Sequence, residues 1–97
     1  MIHHLVLIKL KAGIPRDDPR VRDGLAALVA LREQIPGIVR WEHGWNFTQR
    51  PVACDFALDC TFSTREAFDA YGPHPAHQSV VAQLREVADW VLCDFES

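Results

Sequence analysis

Apolar residues fall on both alternating sets of the opening stretch, Val6 and Ile8 on one and Leu5 and Leu7 on the other. This pattern predicts a strand from residue 2 to residue 10 that is covered on both faces. Ala12-Gly13-Ile14-Pro15 breaks it. Asp17 and Asp18 then stand as N-cap candidates with Pro19 in a first turn, and Val21, Leu25, Leu28, Val29 and Ile35 trace one apolar stripe of a helix that Pro36-Gly37 stops. Period two returns over residues 38 to 47, with Val39, Trp41, His43, Trp45 and Phe47 on one face and Arg40, Glu42 and Asn46 on the other. After the Gln49-Arg50-Pro51 loop, Cys54, Phe56, Leu58, Cys60 and Phe62 alternate with polar or small residues as a third strand. Ser63-Thr64-Arg65-Glu66 has the form of a capping box opening a short helix with Phe68 and Tyr71, closed by Gly72-Pro73. A further helix begins near Pro75, with Ala76, Val80, Leu84 and Val87 about a turn apart, and residues 90 to 95 form the last strand.

The order β-α-β-β-α-α-β is two β-α-β halves, the split arrangement of an α+β, ferredoxin-like fold: a four-stranded antiparallel sheet with helices on one face. Nothing in the chain supplies a second helical layer. Leu5, Leu7 and the aromatic stripe of Trp41, Trp45 and Phe47 therefore predict that a second copy covers the helix-free face. The length of 97 residues fits one domain spanning residues 1–97, and a chain this short buries only roughly 60 to 65% of its unfolded surface, a further reason to associate. A homodimer through the sheet face is the expected assembly.

Charge removes some function classes. With 13 acidic residues against 10 Lys and Arg, a formal net charge of -3, the chain has no basic footprint for nucleic acid and no polybasic membrane patch. No apolar run approaches the ~20 residues of a membrane span, and Met1 leads directly into the strand pattern, so a cytoplasmic protein is expected. Cys54, Cys60 and Cys93 form an odd set without a C-x-x-C spacing, and each lies in a strand-like stretch where Cys acts as a small hydrophobe. No disulfide, thiolate metal site or nucleophilic Cys is expected.

Candidate chemistry rests on histidine. His3-His4 lies in the first strand and His74-Pro75-Ala76-His77 opens the last helix. The second group matches no zinc spacing and has no neighbouring carboxylate or Cys to complete a ligand set, so neither a metal nor another cofactor is expected. A neutral imidazole can take a proton from a carbon flanked by two carbonyls while a phenol donates a hydrogen bond to the oxyanion. Structural roles are open to the same residues: His74 could satisfy the helix start, His77 could bond a backbone carbonyl, and Tyr71 could be a core aromatic.

The stretches Ile2-His3-His4-Leu5-Val6-Leu7-Ile8-Lys9, Ile35-Pro36-Gly37-Ile38, Tyr71 followed by His74-Pro75-Ala76-His77, and Val91-Leu92-Cys93-Asp94-Phe95 together resemble the stress-responsive dimeric α/β-barrel (Dabb) family over nearly the whole chain. The resemblance implies two ferredoxin-like protomers packed sheet to sheet into a dimeric α/β barrel, with a cavity between sheet and helices in each. It also implies site residues, because a plant member of the family closes a linear polyketide by aldol condensation, without a cofactor, using a Tyr and a His at positions matching Tyr71 and His77. His4 matches a further pocket histidine. Phe56 departs from that enzyme, which is polar there, so the same substrate is not implied. Leu25, Leu28, Leu58, Val87, Trp90 and Leu92 match apolar pocket positions of the family suited to a small hydrophobic or polyketide-like molecule, although each is equally suited to plain core packing, and Phe56 and His74 are expected to join them as ligand-binding residues. Four readings follow: a small-molecule binding protein, a cofactor-free cyclase with His77 as base and Tyr71 as oxyanion donor, a ligand-free stress or stability protein, and, on fold analogy alone, a cofactor-independent monooxygenase.

Overall fold

The computed structural model describes all of residues 1–97. In chain order the elements are β1 (Ile2–Leu10), α1 (Pro19–Ala30), a 3₁₀ turn (Leu31–Glu33), β2 (Ile38–Trp45), β3 (Phe56–Phe62), α2 (Arg65–Tyr71), α3 (Pro75–Arg85) and β4 (Ala88–Glu96). The strands pair antiparallel in the order β2-β3-β1-β4. This is the ferredoxin-like topology expected from the pattern of apolar residues.

Local chemistry accounts for most element ends. The Asp18 carboxylate accepts from the Arg20 amide at 2.9 Å and Pro19 occupies the first helical position of α1. The helix is shorter than the stripe ending at Ile35 implied. It tightens into the 3₁₀ turn after Ala30, and that change of pitch still delivers Leu31 and Ile35 to the core. Gly37 then takes the left-handed region with φ 86°. A Cβ on it would sit 2.5 Å from the Ala67 Cβ, so the turn is also the surface on which α2 docks. The N-cap of α2 is Thr64, one residue later than the capping-box frame starting at Ser63 suggests, with its hydroxyl accepting from the Ala67 amide at 3.1 Å. Val87 falls beyond the end of α3, in the turn into β4, and is nonetheless wholly buried.

Register assigns the two faces of the sheet. His4, Val6 and Ile8 of β1 lie opposite Cys60, Leu58 and Phe56 of β3 and opposite Asp94, Leu92 and Trp90 of β4. This face meets the helices, where Val21, Leu25, Leu28, Val80 and Leu84 complete the core. The other face carries Leu5 and Leu7 of β1 with Cys93 and Val91 of β4 opposite them. Leu7, Val91 and Phe95 are 44%, 61% and 46% exposed in the single chain.

The aromatic stripe of β2 does not belong to that open face. Trp41, His43 and Trp45 pair with Cys60, Leu58 and Phe56, which puts them on the helix side. Trp41 is buried against Tyr71, Trp45 meets Phe56 edge-on under the Arg16 guanidinium, and Phe47 lies past the strand end. The expectation that these residues form the interface is therefore corrected. Alternation alone could not distinguish the faces, because a bulge between Ile38 and Arg40 inserts a residue and resets the pleat.

Candidate functional site

A cavity of about 440 Å³ lies between the helix side of the sheet and the helices. Three polar side chains reach it from three elements. His4 comes from the middle of the sheet, Tyr71 from the last turn of α2, and His77 from the first turn of α3. The break between the two helices brings the last two together. Gly72 and Pro73 interrupt the chain, the His74 Nδ1 accepts from the Ala76 amide at 3.1 Å, and Pro75 fills the first helical position. His77 then stands 4.1 Å from Tyr71, and Tyr71 stands edge-on 5.7 Å from His4, measured between ring centroids.

Hydrogen bonds fix which atoms are left for a ligand. The Gly72 carbonyl can only accept, so His77 Nδ1 donates to it at 2.9 Å and Nε2 holds the free lone pair. The Nδ1 of His4 donates in the same way to the Asp94 carboxylate, leaving its Nε2 toward the cavity. Tyr71 Oη has no protein partner. The Trp41 Nε1 is the one sealed side-chain polar atom without a partner, so the two Nε2 atoms and the Tyr71 hydroxyl are reached by solvent-sized molecules. Unpartnered yet accessible, they are the groups a ligand would meet.

Their protonation follows from burial. Burial lowers the His77 pKa below its usual value, outweighing the opposing hydrogen bond to Gly72, and His4 and His74 push the same way. Burial also raises Tyr71 well above the ordinary phenol range, with Cys60 adding to it. At neutral pH the pair is a neutral imidazole beside an intact phenol. The Cys60 thiol is pushed up to about 12, chiefly by burial and then by Asp59 and Asp94, which leaves it a poor nucleophile.

Of the other residues singled out in the sequence, Leu28, Leu58, Trp90 and Leu92 line the cavity. Leu25, Phe56 and Val87 do not; they are buried in the surrounding core, where their side chains pack against other apolar groups. His74 is also outside the lining, its Nδ1 committed to the helix start. Several lining residues escaped the sequence reading. Asp94 reaches the site through its register with His4, which only strand pairing reveals. Val81 and Arg85 follow His77 at i+4 and i+8 on α3, a helical spacing that could have marked them. No three His, Cys, Asp or Glu side chains gather in a metal-ligating arrangement, and no helix is long and apolar enough to cross a membrane.

The profile of the Stress responsive A/B Barrel Domain matches residues 2–97. An uncharacterised protein of Streptomyces coelicolor is 48% identical over 96 residues, 99% of each chain. Among solved structures, a dimeric ferredoxin-like protein of unknown function from Thermobifida fusca superposes with a TM-score of 0.84 at 25% identity, over 99% of this chain and 90% of that one. The hydroxynitrile lyase of Passiflora edulis superposes with a TM-score of 0.82 over 97% of this chain and 90% of its own, at 15% identity, a likeness of fold alone.

Proposed function

The chain belongs to the stress responsive A/B barrel domain family, and from that footing we propose that it binds a small, largely apolar molecule carrying a carbonyl, seated in the cavity between sheet and helices with its oxygen toward Tyr71 and His77. The observation that carries this reading is the coincidence, in one cavity of about 440 Å³, of an unpartnered phenol and an unpartnered imidazole nitrogen with walls in which 11 of 17 residues are hydrophobic. That volume is in the usual range for small-molecule pockets, roughly 300 to 1,000 Å³. A protein serving only as a stable scaffold has no need to hold a phenol and an imidazole side by side, without protein partners, in an open apolar cavity.

A thermal-shift titration with a β-diketone bearing a medium-length alkyl chain tests it. Ligand at a hundred times Kd stabilises by about 2.7 kcal/mol, which for a domain of this size corresponds to a rise of roughly 10 °C or more in Tm. Tyr71→Phe combined with His77→Ala should remove most of the rise. Absence of any rise with the wild-type protein, across β-diketones and fatty acids alike, would sink the reading.

One observation favours turnover as a second reading. His77 donates through Nδ1 to Gly72, so its Nε2 is a base by construction, and burial keeps it unprotonated. In a β-dicarbonyl, Nε2 would take the proton from the central carbon while the Tyr71 hydroxyl donates to the enolate oxygen. The carbanion then adds to a distant carbonyl carbon, and the alkoxide formed takes the proton back. This is cofactor-free aldol cyclisation.

Two wider expectations belong to the same reading. A homodimer would form through the helix-free face, supported by the exposed Leu7, Val91 and Phe95 there and by the dimeric Thermobifida fusca neighbour. A cytoplasmic setting agrees with Cys54, Cys60 and Cys93 being free thiols.

A further inference from the structure

The cavity is charged differently at its two ends. At one end are His4, Tyr71 and His77 together with two carboxylates, Asp94 on His4 and Asp69 on α2 beside Phe68, whose ring lies 5.8 Å from that of His4. Arg85 marks the other end, at the close of α3, its guanidinium 5.0 Å over the Trp90 ring. Two elements measure the separation independently. His77 to Arg85 is eight residues of helix, about 12 Å at 1.5 Å per residue, and Asp94 to Trp90 is four residues of strand, about 13 Å at 3.3 Å per residue.

Arg85 is also available. Arg20, Arg22, Arg40 and Arg65 each pair with a carboxylate within 4 Å, whereas Arg85 has none, and its neighbour Glu86 does not line the cavity. The guanidinium is held instead by the Trp90 face, which leaves its forked N–H groups without a protein acceptor. It borders both the cavity and the shallow surface depression that continues from it along His77 and Val81. Leu28, Leu58, Val80 and Leu84 form apolar wall between the ends.

We propose that the ligand is an amphipathic anion, a medium-length chain with a carboxylate seated on Arg85 at the mouth and a carbonyl at Tyr71 and His77 some two helical turns away. The inference rests on the binding reading above and adds the class of molecule and its direction. An anion is turned away from the histidine end by Asp69 and Asp94 and drawn to the guanidinium at the other, so charge alone selects one orientation. A bidentate carboxylate is the natural partner of an arginine already oriented by an aromatic face.

The test compares decanoic acid bearing a ketone next to its terminal methyl with the methyl ester of the same acid, by titration calorimetry at neutral pH. The acid should bind about tenfold tighter or more, as a hydrogen-bonded charge pair confers. That advantage should shrink with added salt, vanish in Arg85→Gln while the ester's affinity holds, and survive in part in Arg85→Lys. Equal affinity of acid and ester for the wild-type protein, or an advantage that persists in Arg85→Gln, overturns the anion assignment and leaves the apolar-carbonyl reading in place. If neither compound binds the wild-type protein, both fall together.

Discussion

His77 holds its ring by one nitrogen and offers the other, and that division makes the residue testable. If the protein turns over a β-dicarbonyl, His77→Ala should abolish the chemistry with folding preserved, because the Nε2 that takes the proton beside the Tyr71 hydroxyl is lost with the ring. Tyr71→Phe should cost about a hundred- to a thousand-fold in kcat, the range measured for loss of one oxyanion donor. A full rate in folded His77→Ala would remove the catalytic reading. The pH profile gives an independent reading of the same group. The folded-state pKa of His77 lies below the usual 6.5 because burial opposes the charged form. Hence kcat/KM should rise with pH through a midpoint below 6.5 and be flat above neutrality. The stability consequence has a definite sign. With the folded pKa depressed, the unfolded chain binds more protons as pH falls from about 6.5 toward the folded value, so stability is lost over that interval and is constant from this group above it. Denaturation of wild type and His77→Gln between pH 5 and 7 should show the wild-type dependence weakened in the variant.

The elements carry these residues by way of two short connections. Gly37 closes the segment after α1 and meets Ala67 of α2, while its carbonyl accepts from the Ser63 amide at 2.9 Å. Gly37→Ala meets both a left-handed φ and a hard contact with another Cβ, so it should destabilise by about 1 to 3 kcal/mol in chemical denaturation. Because α2 ends in Tyr71, ligand binding should weaken in the same variant. His74 plays the corresponding part for α3. Replacing it with Ala removes the acceptor for the Ala76 amide at a cost of about 0.5 to 2 kcal/mol, as loss of other N-cap side chains does. If His74 instead touched ligand, His74→Asn, which keeps an N-cap acceptor, would lose affinity while keeping stability; affinity retained with stability is the expected result.

For the whole molecule the open sheet face decides assembly. Sedimentation at micromolar concentration should give a dimer, and Val91→Glu should give a monomer with its fold intact, since Val91 is 61% exposed in the single chain. A carboxylate buried without a partner costs about 3 to 5 kcal/mol, enough to raise the dimer Kd at least about a hundredfold. A Trp45 substitution on the helix side should leave that Kd unchanged, which separates the face assigned by register from the one suggested by the aromatic stripe. A dimer that survives Val91→Glu would place the contact elsewhere.

Much of this protein is legible in its sequence. Period-two and helical spacings, Asp18 with Pro19, and the Gly72-Pro73 break are local signals, and they yielded the element order and hence the ferredoxin-like sheet, because backbone propensity and side-chain periodicity act over a few residues. The meeting of Tyr71 and His77 was local too, six residues apart across one helix break. What depended on the tertiary structure involved residues distant in sequence. The side of the sheet taken by Trp41 turned on a bulge, the pairing of His4 with Asp94 on strand register, and the choice between lining and core for Leu25, Leu28, Phe56 and Val87 on how the helices sit over the sheet. An apolar residue carries the same signal in a cavity wall as in a packed core, so the empty space beside it exists only once the whole chain has closed around it.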